Sequence, residues 1–426
     1  MWKRVVIPAA AGALVGGGFL WGYLAHRNYI FPYELIRRHV TSAAHFEQAA
    51  PLPVRSPGVN PDLLRSMPYV TSFADPNPSA RGVTVAAASD RDGLNFYAVR
   101  TGAVLIDMRG REVARWRVPD TDVLHAELLP SGDVIANGKD GGPLKLHEEG
   151  QRLVKVDAHS RLQWTGPREH WHHDFAVAPG GDIYGLVKVR ERRPAVSARM
   201  PLALDYIAVV SPAGALRERI SLYDAVRDSS YRFLLPSVVD VTLGCEFATG
   251  DECELDLLHA NHIEVFDGTV AGSPLYARGN ILVSLRTINT IVILDGSTHK
   301  VLWAWGPGNL TQQHDPTLLA NGDILIFNNG LERSEAVEMD PRTDGIVWRY
   351  AADGFFSRAH GSVQRLPGGD TLITESDSGR VFEVTPEGRT VWEFRNPSVD
   401  DTAKREIIWR MVRFRPADLP FLTAVN

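Results

Sequence analysis

A short strand closing on tryptophan recurs along this chain, in REVARWRV, SRLQWTG, KVLWAWG, GIVWRY and RTVWEF, setting Trp116, Trp164, Trp303, Trp348 and Trp392 at equivalent points. The first two lie 48 residues apart and the last three are separated by 45 and 44. The 139-residue gap from Trp164 to Trp303 holds one more unit, ending at GALRERISL without a tryptophan, plus an insertion over 223–254. Each unit also carries a turn of one type: PSGD (130–133), PGGD (179–182), ANGD (320–323) and PGGD (367–370), with ARGN (277–280) as a looser version. Glycine supplies the positive φ of such turns, and Asp or Asn closes them with its side chain. The flanking runs DILIFNN, TLITES and ILVSLR have strand character. A period of this length, with short strands and glycine turns, predicts propeller blades. The expected fold is an all-β, six-bladed β-propeller with blades near 82–118, 119–167, 168–222, 255–308, 309–353 and 354–397. The strand within 407–414 is expected to return to the first blade, because an unclosed ring leaves exposed edges. A length of 426 residues would by itself suggest two or three domains; the repeat replaces that with one ring over 82–416.

The segment before the ring has another character. From Val5 to Ala25 no residue is charged, and at 1.5 Å per residue this stretch matches a bilayer core of about 30 Å. A signal peptide has a shorter apolar region and a small-residue cleavage site, which is missing after Leu24. Residues 1–28 therefore read as a cytoplasmic tip and a single transmembrane helix, and 29–81 as a juxtamembrane helix and linker. Cys245 and Cys253, the only two cysteines, suggest a disulfide and an oxidising compartment. The expected location is the cytoplasmic membrane, with the propeller on its periplasmic, extracytoplasmic side. Lys and Arg number 45 against 51 Asp and Glu, so there is no basic excess to hold nucleic acid.

The repeat also sets the phase of the histidines. LHAELLPSGD, HHDFAVAPGGD, LLHANHIEV, QHDPTLLANGD and AHGSVQRLPGGD put His125, His173, His259, His314 and His360 at the start of the first strand in five blades. That strand lines the central channel, so the five side chains should converge at one mouth. A lone histidine there ordinarily satisfies a loop hydrogen bond, whereas five converging imidazoles repel one another once charged and make a poor structural device. They read as a site. A ring of histidines holding iron is one option. Arg286, ending ILVSLR, opposes it: a cation among neutral imidazoles favours an anion with sulfate or phosphate oxygens.

The run LLHANHIEVF, NILVSLR, VLWAWG and QHDPTLLANGDILIFNNG, followed by EAVEMD, resembles the arylsulfotransferase (arylsulfate sulfotransferase) family of the bacterial periplasm. The resemblance extends from about Gly82 to Phe414 and is densest between Asp256 and Gly330. It implies a six-bladed propeller that moves a sulfuryl group between phenols without a nucleotide donor or any cofactor. By motif, His314 matches the nucleophile that becomes sulfated, His259 the histidine that assists proton transfer at the phenolic oxygen, and Arg286 the arginine of the S-S-R motif. His173 matches the earlier blade histidine, with His172 beside it as the alternative. Asn261 is the asparagine of the H-x-N motif, and His125 and His360 are further substrate-binding candidates. Three departures bear on substrate shape: Leu257 or Leu258 where tryptophan is usual, Leu285 for the second serine, and Asn328 opening NNG in place of D-N-G.

The expected reaction is attack of neutral His314 on an aryl sulfate, with Arg286 and His173 holding the sulfuryl oxygens and His259 protonating the departing phenoxide. A phenol then takes the group from His314. Two other readings stay open: a histidine-ring metal enzyme, and a non-catalytic membrane-anchored propeller serving as a binding or assembly subunit. The stretch FPYELIRRHVTSAAHFEQAA, apolar at helical spacing, suits a membrane-protein partner, and a homodimer is also open.

Overall fold

The computed structural model describes residues 77–87, 92–140, 151–197, 201–235 and 255–423. The predicted span at 5–25 and the Cys245/Cys253 pair lie outside them. Among the described residues no helix is long and apolar enough to cross a membrane.

Six antiparallel sheets form the six blades. In the second, Thr121–Leu128 is innermost, followed outward by Val134–Asp140, Gln151–Val156 and Leu162–Thr165. The third runs His170–Val177, Ile183–Glu191, Leu202–Val210 and Leu216–Ser221, and the fourth Ala260–Val265, Ile281–Leu285, Thr290–Leu294 and Val301–Trp305. The fifth is His314–Leu318, Ile324–Asn328, Glu335–Asp340 and Gly345–Tyr350.

The ring closes twice. Met411–Phe414 pairs with Leu94–Val99 and becomes the innermost strand of the first blade, whose outer strands are Gly102–Asp107 and Glu112–Arg117. Gly82–Ala86, expected to begin the first blade, instead pairs with Thr390–Arg395 as a fifth, outermost strand of the sixth. Inside it come Arg380–Val384, Thr371–Glu375 and Ser362–Arg365. The two chain ends thus contribute to neighbouring blades, and the outer edge of the sixth is covered.

The recurrent tryptophan joins blade to blade. Trp116 Nε1–H donates to Gly132 O (2.8 Å), Trp164 to Pro212 O (3.0 Å), Trp348 to Pro386 O (3.0 Å) and Trp392 to Met108 O (2.9 Å), each acceptor lying in the following blade. Trp303 reaches Asp344 Oδ1 at 3.2 Å. The period in the sequence is therefore the period of a clamp. Replacing Trp392, which is fully buried, by Phe keeps the apolar contact but orphans the Met108 carbonyl. A loss of about 1–3 kcal/mol is expected, read from denaturant unfolding.

The channel-facing edges of the innermost strands need partners for their N–H groups. Side chains from the preceding blade supply them: Asp174 accepts from Ile263 N–H (3.3 Å), Glu264 from Leu318 (2.9 Å), Asp315 from Val363 (2.8 Å) and Gln364 from Arg413 (2.8 Å). These buried and part-buried polar residues hold the channel wall together.

Candidate active site at one mouth of the channel

The pairing registers show that the five histidines do not share one position. Leu128, Val177, Val265, Leu318 and Arg365 pair with the first residues of the second strands and give a common origin. His125 and His314 pair with the fourth residues of their second strands, Asn137 and Phe327, His173 falls opposite a register shift, and His259 and His360 precede the paired residues Ala260 and Ser362, nearer the mouth. The innermost strands of the second to fifth blades carry register shifts beside these positions, at Val123/His125, opposite Gly185/Val187, at Ala260/His262 and at His314/Thr317. Extra residues of this kind re-aim side chains. His173 and His259 themselves adopt φ of 53° and 50°, a left-handed conformation that non-glycine residues take at a cost.

Four of the predicted histidines come together around the mouth. His173 packs against His259 with ring centroids 4.8 Å apart and against Trp409 at 6.1 Å. Trp409 lies 4.4 Å from His360, which is 6.3 Å from His314. His125 does not join them. It sits in a deeper layer, 3.1 Å from Asp174, where burial drives its pKa down to about 3.

His314 is held in one tautomer. Asn329 Nδ2 donates to the backbone oxygens of Ser357 (2.7 Å) and His360 (3.0 Å), so its Oδ1 is the atom that faces His314 Nδ1 at 2.7 Å. Gln312 O, a second acceptor, is 3.0 Å from the same nitrogen. Nδ1 must therefore carry the proton, and Nε2 presents its lone pair. Nε2 is buried and has no hydrogen-bond partner among the described residues. Burial, then the charge of Arg286 and the neighbouring His360, hold the His314 pKa well below its ordinary value. Arg286 follows the second strand of the fourth blade and donates through Nη2 to Gln312 Oε1 at 2.9 Å.

The other imidazoles are oriented by carboxylates. His259 Nδ1 is 2.7 Å from Asp256 Oδ2, and its backbone N–H donates to Asp256 Oδ1 at 3.0 Å. Lys188 bridges Asp256 (2.5 Å) and Asp205 (2.9 Å). Burial would raise the Asp256 pKa, but Lys188 and His259 outweigh it and hold the carboxyl well below the usual range. The His259 proton-exchanging nitrogen is consequently Nε2. His172 Nε2 lies 3.2 Å from Asp205, and its Nδ1 and His173 Nδ1 are 2.8 Å apart, one of the two donating. His173 thus faces the mouth and His172 stands behind it. His360 Nδ1 is 2.7 Å from Asp377 Oδ1. Asn261 donates to Gln313 O at 2.9 Å and, with His314, His360, Trp409 and Arg410, lines a small pocket.

Beneath this cavity the channel is blocked by charge. Arg410 Nη2 lies 2.9 Å from both Asp174 and Asp315, and His262 Nδ1 is 2.7 Å from Asp174. Burial opposes the Asp174 charge, but Arg410 and His262 hold its pKa well below the ordinary value. The sequence reading missed Asn329, Asp256, Lys188, Asp377, Trp409 and Arg410. Asn329 and Trp409 lay within segments already singled out, NNG and the closing strand; the carboxylates carry no signal apart from spacing. Among the described residues no three His, Cys, Asp or Glu side chains converge to hold a metal ion.

Burial is the largest cause of the lowered pKa at His125, His172, His173 and His314. In the unfolded chain these groups take up protons below about pH 6.5, while in the folded protein they stay neutral to lower pH. Stability is therefore full above that value and falls as the pH drops through it. Chemical denaturation at pH 7.5 and 5.5 should show the loss, with net proton uptake on unfolding at the lower pH.

Fold and mouth together define a six-bladed propeller with a histidine-walled pocket at one end of its channel. The chain belongs to the arylsulfotransferase family: the model of that family, described as Arylsulfotransferase (ASST), matches residues 125–397. No curated protein gives a significant match. Among solved structures, a protein of unknown function from Bacteroides caccae is 14% identical, covering 76% of this chain and all of its own, with a TM-score of 0.48. The Kuenenia stuttgartiensis hydrazine synthase is 12% identical over 82% of this chain and 98% of its own, with a TM-score of 0.44. Likenesses this distant carry no argument about the site.

Proposed function

We propose that the protein is a nucleotide-independent sulfotransferase that moves a sulfuryl group from an aryl sulfate to a phenol through a sulfohistidine at His314. The observation that carries this reading is the unpartnered Nε2 of an imidazole whose other nitrogen is fixed as a donor by Asn329. Such a nitrogen is a nucleophile that needs no base to activate it. Nε2 of His314 attacks sulfur and the bond from sulfur to the aryl oxygen breaks. His259, as an imidazolium stabilised by Asp256, gives its Nε2 proton to the departing phenoxide. In the second half the acceptor phenol returns a proton to His259, its oxygen attacks sulfur, and His314 is regenerated. Arg286 and His173 are the oxygen-binding groups, and the fixed cation stabilises charge in both transition states.

The test uses the full chain with a ³⁵S-labelled aryl sulfate. Label transferred to an added phenol, together with acid-labile label on the protein when acceptor is omitted, supports the reading. Absence of both sinks it. The location is proposed on the same footing: residues 5–25 anchor the chain, the propeller lies on the extracytoplasmic side, and Cys245 and Cys253 are joined. Recovery of the intact chain in the supernatant after an alkaline carbonate wash would contradict the anchor, and alkylation of both thiols without reduction would contradict the disulfide.

A further inference from the structure

The charges behind the mouth can be counted. Lys188, in the second strand of the third blade, pairs with Asp205 of the third strand and reaches Asp256 at the entry to the fourth blade, with ion-pair distances of 2.9 and 2.5 Å. Each carboxylate also holds an imidazole: Asp205 Oδ1 is 3.2 Å from His172 Nε2, and Asp256 Oδ2 is 2.7 Å from His259 Nδ1. His172 meets His173 at 2.8 Å, and the His173 ring lies 4.8 Å from that of His259, so the set closes on itself.

Two carboxylates against one ammonium leave one negative charge over. Asp205 is fully buried, and an uncompensated charge this far from water is costly, so one imidazole of the set carries a balancing proton. Burial alone would lower the Lys188 pKa, but Asp205 and Asp256 outweigh it and raise it, so the lysine keeps its charge. Burial lowers the His172 pKa, Asp205 offsets part of that, and Lys188 and His259 lower it further. His173 is held well below its ordinary value by burial and by the neighbouring imidazoles. The His172 side chain is 10% exposed against 29% for His259, so the proton goes to His259, the member of the set that solvent and substrate reach. Other elements also face this set. His314 is held neutral by burial. Arg286 donates its backbone N–H to the His259 carbonyl at 3.1 Å and its side chain to Gln312, and it feels the charges of Asp256, Arg358 and Asp377, the last paired with His360. These groups are common to every variant compared below.

We propose that Lys188 is a positioning residue that, through Asp205 and Asp256, limits this side of the mouth to one exchangeable proton and seats it on His259. The use of that proton in catalysis rests on the sulfotransferase reading; its place does not. With both carboxylates held by one ammonium, the imidazolium of His259 is stabilised enough to exist and not so much that it withholds its proton from a departing phenoxide. Without Lys188 two negative charges would remain, and His259 would keep its proton to higher pH. Without the Asp205 charge the lysine would balance Asp256 alone, and His259 would lose its proton at lower pH.

The test compares the full-length wild type, Lys188→Met, Asp205→Asn and the double variant, with far-UV circular dichroism confirming the fold of each. Diethyl pyrocarbonate acylates only neutral imidazole, so its rate of reaction at His259 against pH, read by mass spectrometry of the peptide, locates the proton without any turnover. The midpoint should rise by at least about one pH unit in Lys188→Met, fall by at least about half a unit in Asp205→Asn, and return close to the wild type in the double variant. For phenyl sulfate, whose phenoxide is basic enough to need a proton, the alkaline limb of kcat/KM should move in the same directions, because the rate falls as His259 loses its proton. A merely structural lysine would lower stability and leave the midpoint in place, so a folded Lys188→Met without the upward shift, or Asp205→Asn without the downward one, overturns the proposal. If Lys188→Met does not fold, Asp205→Asn alone decides. Sulfuryl transfer with unmoved midpoints overturns the role of Lys188 and leaves the sulfotransferase reading intact; opposed shifts in a protein that transfers no sulfuryl group support the seat of the proton and overturn the transfer reading.

Discussion

His314→Ala is expected to lower sulfuryl transfer by about 10³-fold or more, the scale on which enzymes lose rate when a covalent nucleophile is removed. It should also remove the protein-bound label. His314 is nearly buried, with 5% of its surface exposed, and its side chain bonds only through Nδ1, to Asn329 and the Gln312 carbonyl, so truncation leaves a small polar gap and the fold should survive. Asn329→Asp provides a sharper comparison. A carboxylate facing Nδ1 favours protonation of the imidazole, which raises its pKa and moves the pH dependence of transfer upward while the nucleophile remains in place. A purely structural role for His314 would predict loss of stability with loss of rate; the proposed role predicts loss of rate alone.

Arg410→Met is expected to destabilise the propeller by about 3–5 kcal/mol, because it leaves buried carboxylates without their cation. Asp174 and Asp315 each lie 2.9 Å from the Arg410 guanidinium, and each also accepts a backbone N–H from the next blade. The pair therefore couples the closing strand to the third and fifth blades, across the channel. Unfolding in guanidinium, followed by fluorescence, measures the effect. The triple variant Arg410→Met, Asp174→Asn, Asp315→Asn should recover part of it, since no unpaired charge then remains. Failure of the triple variant to recover any stability would show that packing of the arginine stem, rather than charge, carries the contribution.

Much of the architecture was legible because a propeller writes its period into the chain. Trp116, Trp164, Trp348 and Trp392 repeat because each indole donates to the next blade, and glycine repeats because Gly132, Gly181, Gly322 and Gly369 all need φ near 90°. The first blade was misdrawn for a physical reason: Gly82–Ala86 has strand composition, but pairing decides which sheet it joins, and its partner is Thr390–Arg395. The site was legible in part. Arg286, His173, His259, His314 and His360 stood out by residue type and phase. Asp256, Asp377 and Asn329 did not, because each orients an imidazole through hydrogen bonds that the repeat does not mark.

Composition, period and turn chemistry determined that this chain forms six blades with histidines at the heads of the innermost strands. Those are local properties, readable wherever side chains and backbone neighbours alternate along one strand. The tertiary structure decided which imidazoles meet. Tertiary contacts set His125 in the deeper layer beside Asp174 and His173 against His259 at the mouth, and closure by Met411–Phe414 brought Trp409 and Arg410 into the channel. A register shift and a ring closure are relations between distant strands, so they become visible only when the strands are paired.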